Sequence, residues 1–156
     1  MTYSQKRHIE LLKLSQDLGN QKKDLFIENP EEYLELAEYD AIVEEHILWQ
    51  DRHKIALVME NFLNKKIDGE DFCGHVYGLR RTLRNACEEF NLKLISSSET
   101  IQDFQHYEFL PNLALADLLT ALFCECDNFM DDYENEQFYN YIQTFYFNLQ
   151  KKINKE

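Results

Sequence analysis

Turn-forming residues are scarce in this chain: four glycines and two prolines among 156 residues. That excludes the many tight turns of an all-β sandwich or barrel. Basic residues are also short, sixteen against twenty-nine acids, for a formal net charge of −13. A nucleic-acid binder needs a stripe of lysine and arginine to meet phosphates, so no nucleic-acid partner is expected. No apolar run approaches the ~20 residues of a membrane span, and "MTYSQKRHIELLKL" lacks the apolar centre of a signal peptide. Four cysteines in such a setting do not imply disulfides. The expected location is cytoplasmic, or an organelle interior such as a plastid stroma, with no membrane contact.

What is present is helical spacing. Leu11, Leu12, Leu14 and Leu18 predict a first amphipathic helix that stops near Gly19-Asn20. In "NPEEYLELAEY", Asn29 is the cap, Pro30 takes the first turn, and Glu31 and Glu32 face the positive end of the dipole. That helix is expected to continue, with a bend near "WQDRHK", through Ile55, Val58, Met59 and Phe62. Asp68 caps the next, whose Phe72, Val76, Leu79, Leu83, Ala86 and Phe90 fall on one face. Gly74 and Gly78 inside it mark either a close helix approach or a frayed first turn. "NLKLISSSETIQDFQHYEFLPN" loses the period and predicts a long connection. Leu115, Leu118, Leu119, Leu122 and Cys126 restore it, and Phe138, Ile142, Phe145 and Leu149 line the last helix. The fold class is all-α, an antiparallel bundle of four to five helices. Residues 1–55 are expected to form an N-terminal helical extension and 56–156 the bundle, together one domain.

Sites of chemistry are hard to build from this sequence. Cys124 and Cys126, two apart on a helix, point about 200° apart and cannot grip one ion. Cys73 and His75 share that fault, and zinc pairs prefer a spacing of two to four. A calcium loop started at Asp127 meets Phe129 at position three and Asp132 at position six, where glycine is required. Started at Asp131, it meets Tyr133. No histidine follows a glutamate by three residues, as a di-iron bundle needs, and no phosphate cradle or nucleophile motif occurs. Neither a catalytic residue, a metal nor a cofactor is expected, and the chain reads as a non-enzyme. Arg80, Arg81 and Arg84 form the single basic cluster, read as a solvated helix face.

Charge placement says more. Residues 99–156 carry eleven acids and three lysines, hence eight of the thirteen net negative charges. Glu125, Asp127, Asp131, Asp132, Glu134 and Glu136 gather where the last two helices meet, around Tyr133. Capping accounts for Glu134 and Glu136, with Asp132 or Asn135 starting the final helix. The others repel one another unless a partner neutralises them. On the final helix, Tyr141 flanks the inward stripe and Phe147 points away from it. Large rigid aromatics beside carboxylates suit a protein-binding surface. These nine residues are the candidate site.

Two stretches, "ENFLNKKIDGEDFCGHVYGLRR" and "LLTALFCECDNFMDDYENEQFYNYIQ", resemble the colicin D-type bacteriocin immunity proteins and their wider immunity-like family. The resemblance rests on Phe62-Leu63, Lys66-Ile67, the turn from Asp68 to Phe72, and the acidic corner closing Leu119 to Phe129. It spans roughly residues 58–152. It implies a small helical bundle that inhibits a tRNA-cleaving toxin, its acids filling the basic cleft of the nuclease domain. This chain departs from that pattern by about 55 additional N-terminal residues. The alternative is a structural or assembly subunit of a larger complex, docked through the aromatic last helix.

Overall fold

Three helix starts are each written in a side-chain oxygen that replaces a missing backbone acceptor. Ser4 Oγ accepts from the Arg7 N–H at 3.4 Å and opens α1 (Gln5–Asn20). Asp24 Oδ1 accepts from Phe26 at 2.8 Å and opens the single-turn α2 (Leu25–Glu28). Asp68 Oδ1 accepts from Asp71 at 2.9 Å and opens α4 (Gly69–Ser96). Between them lies α3 (Pro30–Leu63), preceded by Asn29 and carrying Glu31 and Glu32 in its first turn. The chain closes with α5 (Leu115–Asp132) and α6 (Asn135–Ile153). The computed structural model describes residues 3–96, 115–132 and 135–154, apart from the side chains of 130–132 and 135. Six helices and no strand occur among them, an all-α helical bundle.

Two helix ends are closed by an unexpected residue. Lys66 N–H bonds to Asn61 O at 2.8 Å and Lys65 N–H to Phe62 O at 2.9 Å, with Lys65 at φ 57°. Lys23 N–H to Leu18 O and Lys22 N–H to Gly19 O repeat the arrangement after α1, with Lys22 at φ 58°. Both are Schellman closures, whose left-handed position ordinarily belongs to glycine. The first helix does stop at Asn20 as expected, yet Gly19 sits inside it and Lys22 takes the strained conformation. An L-residue there costs roughly 1–2 kcal/mol, partly offset because glycine is freer when unfolded. Lys65→Gly is therefore expected to raise stability by about 0.5–1 kcal/mol, read as an upward shift of the urea midpoint.

The chain divides into two units. Of the described residues, 3–46 and 85–96 form the first, and 47–84 and 115–154 the second. The expected division at 55/56 falls within α3, which runs through it and through "WQDRHK" as one helix, and the units part instead at 46/47 and 84/85. Likewise α4 continues past Phe90 to Ser96, six residues into the expected connection, with Leu94 fully buried four residues beyond Phe90. The remainder of that connection, 97–114, lies outside the described residues.

In the first unit, Leu11, Leu25, Leu36, Tyr39, Ile42, Val43 and Leu94 are buried. At its centre is His8, with no exposed surface, stacked on Tyr39 at 5.3 Å and edge-on to Tyr3. Its Nδ1 lies 3.1 Å from the Tyr3 hydroxyl. Its Nε2 is 3.4 Å from Asp40 Oδ1, a contact without hydrogen-bond geometry, and Asn91 donates to that same oxygen at 2.9 Å. A buried histidine meeting the half-buried Asp40 and Asn91 links α1, α3 and α4 and restricts their register. The Arg7 guanidinium meets Glu35 at 2.6 Å and holds that carboxyl below its ordinary value.

The second unit pairs two helical hairpins. Every α5 residue expected to face inward is buried: Leu115, Leu118, Leu119, Leu122 and Cys126. On α6, Phe138, Ile142 and Leu149 are fully buried and Phe145 half-buried. From α4 come Phe72, Val76 and Leu83, with Leu79 half-buried. Phe62, Phe72, Phe129 and Phe138 bring one ring from each of the four helices. Phe138 stacks on Phe129 at 4.4 Å and meets Phe62 and Phe72 at 5.5 and 5.9 Å. The close approach lies at Gly69, not Gly74 or Gly78. A Cβ on Gly69 would collide with the Phe129 ring, whereas the other two have open space.

Candidate functional site

The end of α5 and the start of α6 form a corner of the second unit, and nine residues of this region are the sequence candidates. Asp127 is exposed on α5, and its Oδ1 accepts the Tyr77 hydroxyl of α4 at 2.8 Å. Burial, then that carboxylate, push the Tyr77 phenol above its ordinary value, so it stays a donor. Glu125 is half-buried, with Oε2 shut away from solvent and without a hydrogen-bond partner. Glu136 is exposed in the first turn of α6, where the dipole favours it.

Asp131 and Asp132 occupy the last turn of α5, which holds no basic residue. Asp132 therefore ends one helix and does not start the next, which begins at Asn135. Tyr133 and Glu134 lie outside the described residues. Tyr141 is 38% exposed and Phe147 57%, the latter with the Lys151 ammonium 4.2 Å above its ring. Asp127 and Glu136 thus flank the junction as expected, while Tyr141 and Phe147 stand further along α6.

Among the described residues, Glu125, Asp127 and Glu136 form no ion pair with a lysine or arginine. Arg80 lies over the Phe123 ring at 3.8 Å, a cation–π contact, and forms no ion pair with Glu125, Asp127 or Glu136 among the described residues. Tyr77, one turn before Arg80 on α4, also meets Phe123, edge-on with the rings 5.1 Å apart. Sequence reading placed Arg80 on a solvated face and missed its aromatic partner. The signal was present as Phe123 four residues before Asp127, on a different helix from Tyr77, and only packing joins them.

Beside the corner is an open cleft of about 560 Å³ with Phe62, Phe129 and Tyr139 as its walls. Tyr139 donates to Leu63 O at 3.2 Å. Lys65 and Lys66 stand on its rim with Asp68 and Asp71, so its charge is mixed. Cys73 and Cys126 are both buried, with the Cys73 thiol 3.9 Å from the Cys126 carbonyl oxygen. The contact with Cys73, and then burial, push Cys126 above its ordinary value. Cys124 is exposed on the other side of α5, as a spacing of two requires. Among the described residues no three His, Cys, Asp or Glu side chains gather as metal ligands, and no helix is long and apolar enough to cross a membrane.

Comparison with known proteins adds no relative. No family model matches this chain, and no curated protein or solved structure does.

Proposed function

We propose that this chain is a non-enzymatic binding protein whose acidic α5–α6 corner meets a basic protein. In the reading drawn from the immunity-like resemblance, the counterpart is the cleft of a tRNA-cleaving toxin, and the acids stand where RNA phosphates would lie. One observation supports this above others. Asp127 is exposed with a tyrosine hydroxyl as its partner, while Asp131 and Asp132 sit at the negative end of a helix dipole. The Asp131 and Asp132 placement works against the helix end, the Tyr77 hydrogen bond needs an acceptor on Asp127 but no charge, and both leave negative potential available to steer a cationic surface.

The test is copurification from cells of the source, followed by titration in increasing sodium chloride. A partner with an isoelectric point above about 9, whose affinity falls at least tenfold as salt shortens the Debye length from about 10 to 3 Å, is the expected result. Exposure of Phe147 and Tyr141 favours a second reading, an assembly subunit docked through α6. A partner released by Phe147→Ala and indifferent to salt would replace the first reading with the second.

A further inference from the structure

Opposite its core side, the first part of α3 carries a second apolar face. Residues three and four apart share a helix face, and Pro30, Tyr33, Leu34 and Ala37 follow that spacing, all exposed. Leu34 keeps 60% of its surface and Tyr33 42%. The neighbouring α2 extends the face with Phe26 at 57% and Ile27 at 74%, and the Phe26 ring stands edge-on to Tyr33 at 5.2 Å. Meanwhile Leu36, Tyr39 and Val43, on the far side of the same helix, are buried in the first unit. A helix with one core face ordinarily turns charge to water on the other. The six apolar residues gathered there form one exposed patch rather than scattered single exposures.

The rim of this face selects what docks. From Asp24 to Glu45 the chain has nine acids and neither lysine nor arginine. Glu35 among them is taken by Arg7, but Asp24, Glu28, Glu31 and Glu38 are exposed. Lys23 approaches Glu28 at 3.9 Å, an exposed pair of little worth. Two copies meeting through this face would set acidic rims against each other, and an anionic membrane would be repelled by the same charges.

We infer that the face formed by Phe26, Ile27, Pro30, Tyr33, Leu34 and Ala37 docks an amphipathic helix of a partner protein, apolar inward and rich in lysine or arginine on its flanks. Phe26 and Tyr33 supply rigid aromatic anchors, Ile27 and Leu34 the aliphatic contact, and the exposed carboxylates orient the flanks. This surface lies wholly in the first unit and does not rest on the reading of the α5–α6 corner.

The experiment titrates the full chain with a short leucine–lysine amphipathic peptide, its scrambled-order control, and mixed phosphatidylcholine–phosphatidylserine vesicles. Sedimentation velocity reports self-association alongside. The expected result is binding of the ordered peptide alone by a monomeric protein. Ile27→Asp with Leu34→Glu should weaken it about tenfold or more, and Glu31→Lys with Glu38→Lys should do so at low salt. These positions are exposed, so far-UV circular dichroism should not change. Asp131→Lys with Asp132→Lys should leave this affinity intact. Equal binding of the scrambled peptide, binding to vesicles, a dimer dissociated by Leu34→Glu, or peptide affinity lost only in the α5 variant would each overturn the inference.

Discussion

Replacing Phe138 by alanine is expected to lower the unfolding free energy of the second unit by about 3–5 kcal/mol. The side chain has no exposed surface and touches rings from all three other helices of that unit, Phe62, Phe72 and Phe129. Its removal forfeits the transfer energy of a phenyl group and leaves a cavity walled by rings, of which Phe129 is already packed close against Gly69 and has little room to collapse. Trp49 is the only tryptophan and lies in the second unit, under the Arg52 guanidinium at 4.4 Å. Its fluorescence during urea unfolding therefore follows the unit that the substitution affects. Phe147→Ala provides the contrast: a ring of the same size, 57% exposed, should cost no more than about 0.5 kcal/mol. Similar losses for the two would mean that the ring cluster does not hold this unit together.

The residues of that cluster were legible in the sequence, because helical periodicity registers what one helix turns toward a core. All five inward positions of α5 and three of four on α6 are buried as their spacing required. The Asp68 cap was legible for a similar reason, since a carboxylate before an acidic first turn is a local signal. Relations between helices were not. Tyr77 and Asp127 stand fifty positions apart and meet only after α4 and α5 pack. His8, Asp40 and Asn91 come from three helices in the same way.

Glycine marked where α1 ends, at Gly19-Asn20, but the left-handed position that closes it belongs to Lys22. Of the two readings of Gly74 and Gly78, the close approach falls away, since both have open space and the contact lies at Gly69. A close approach is set by the partner it meets, which composition does not name. The exposed stripe on α3 was not assigned a face from the sequence. Tyr33, Leu34 and Ala37 have inward-facing periodicity, and nothing local distinguishes an apolar face that meets a core from one that meets water.

Exchanging Asp131 and Asp132 for lysine is expected to move folding and binding in opposite directions. Both positions lie in the last turn of α5, where unpaired carbonyls carry partial negative charge and no basic residue offsets it. Lysine there should add about 0.3–1 kcal/mol of stability per position, measured as a higher urea midpoint at low ionic strength. The same exchange sets two cations against the basic counterpart proposed for the corner, and affinity should fall about a hundredfold or more in calorimetric titration. Asp127→Asn serves as the graded control, because its amide oxygen still accepts the Tyr77 hydroxyl while the charge is gone. It should weaken binding about tenfold and leave the urea midpoint nearly unchanged. A corner shaped only for folding would behave otherwise, since lysine would then improve the helix end without any loss. Retained affinity in the lysine variant would remove the acidic corner from the binding surface and leave the aromatic side of α6 as the face to examine. Gain of stability with loss of binding would instead mean that these carboxylates are kept at a cost to the helix.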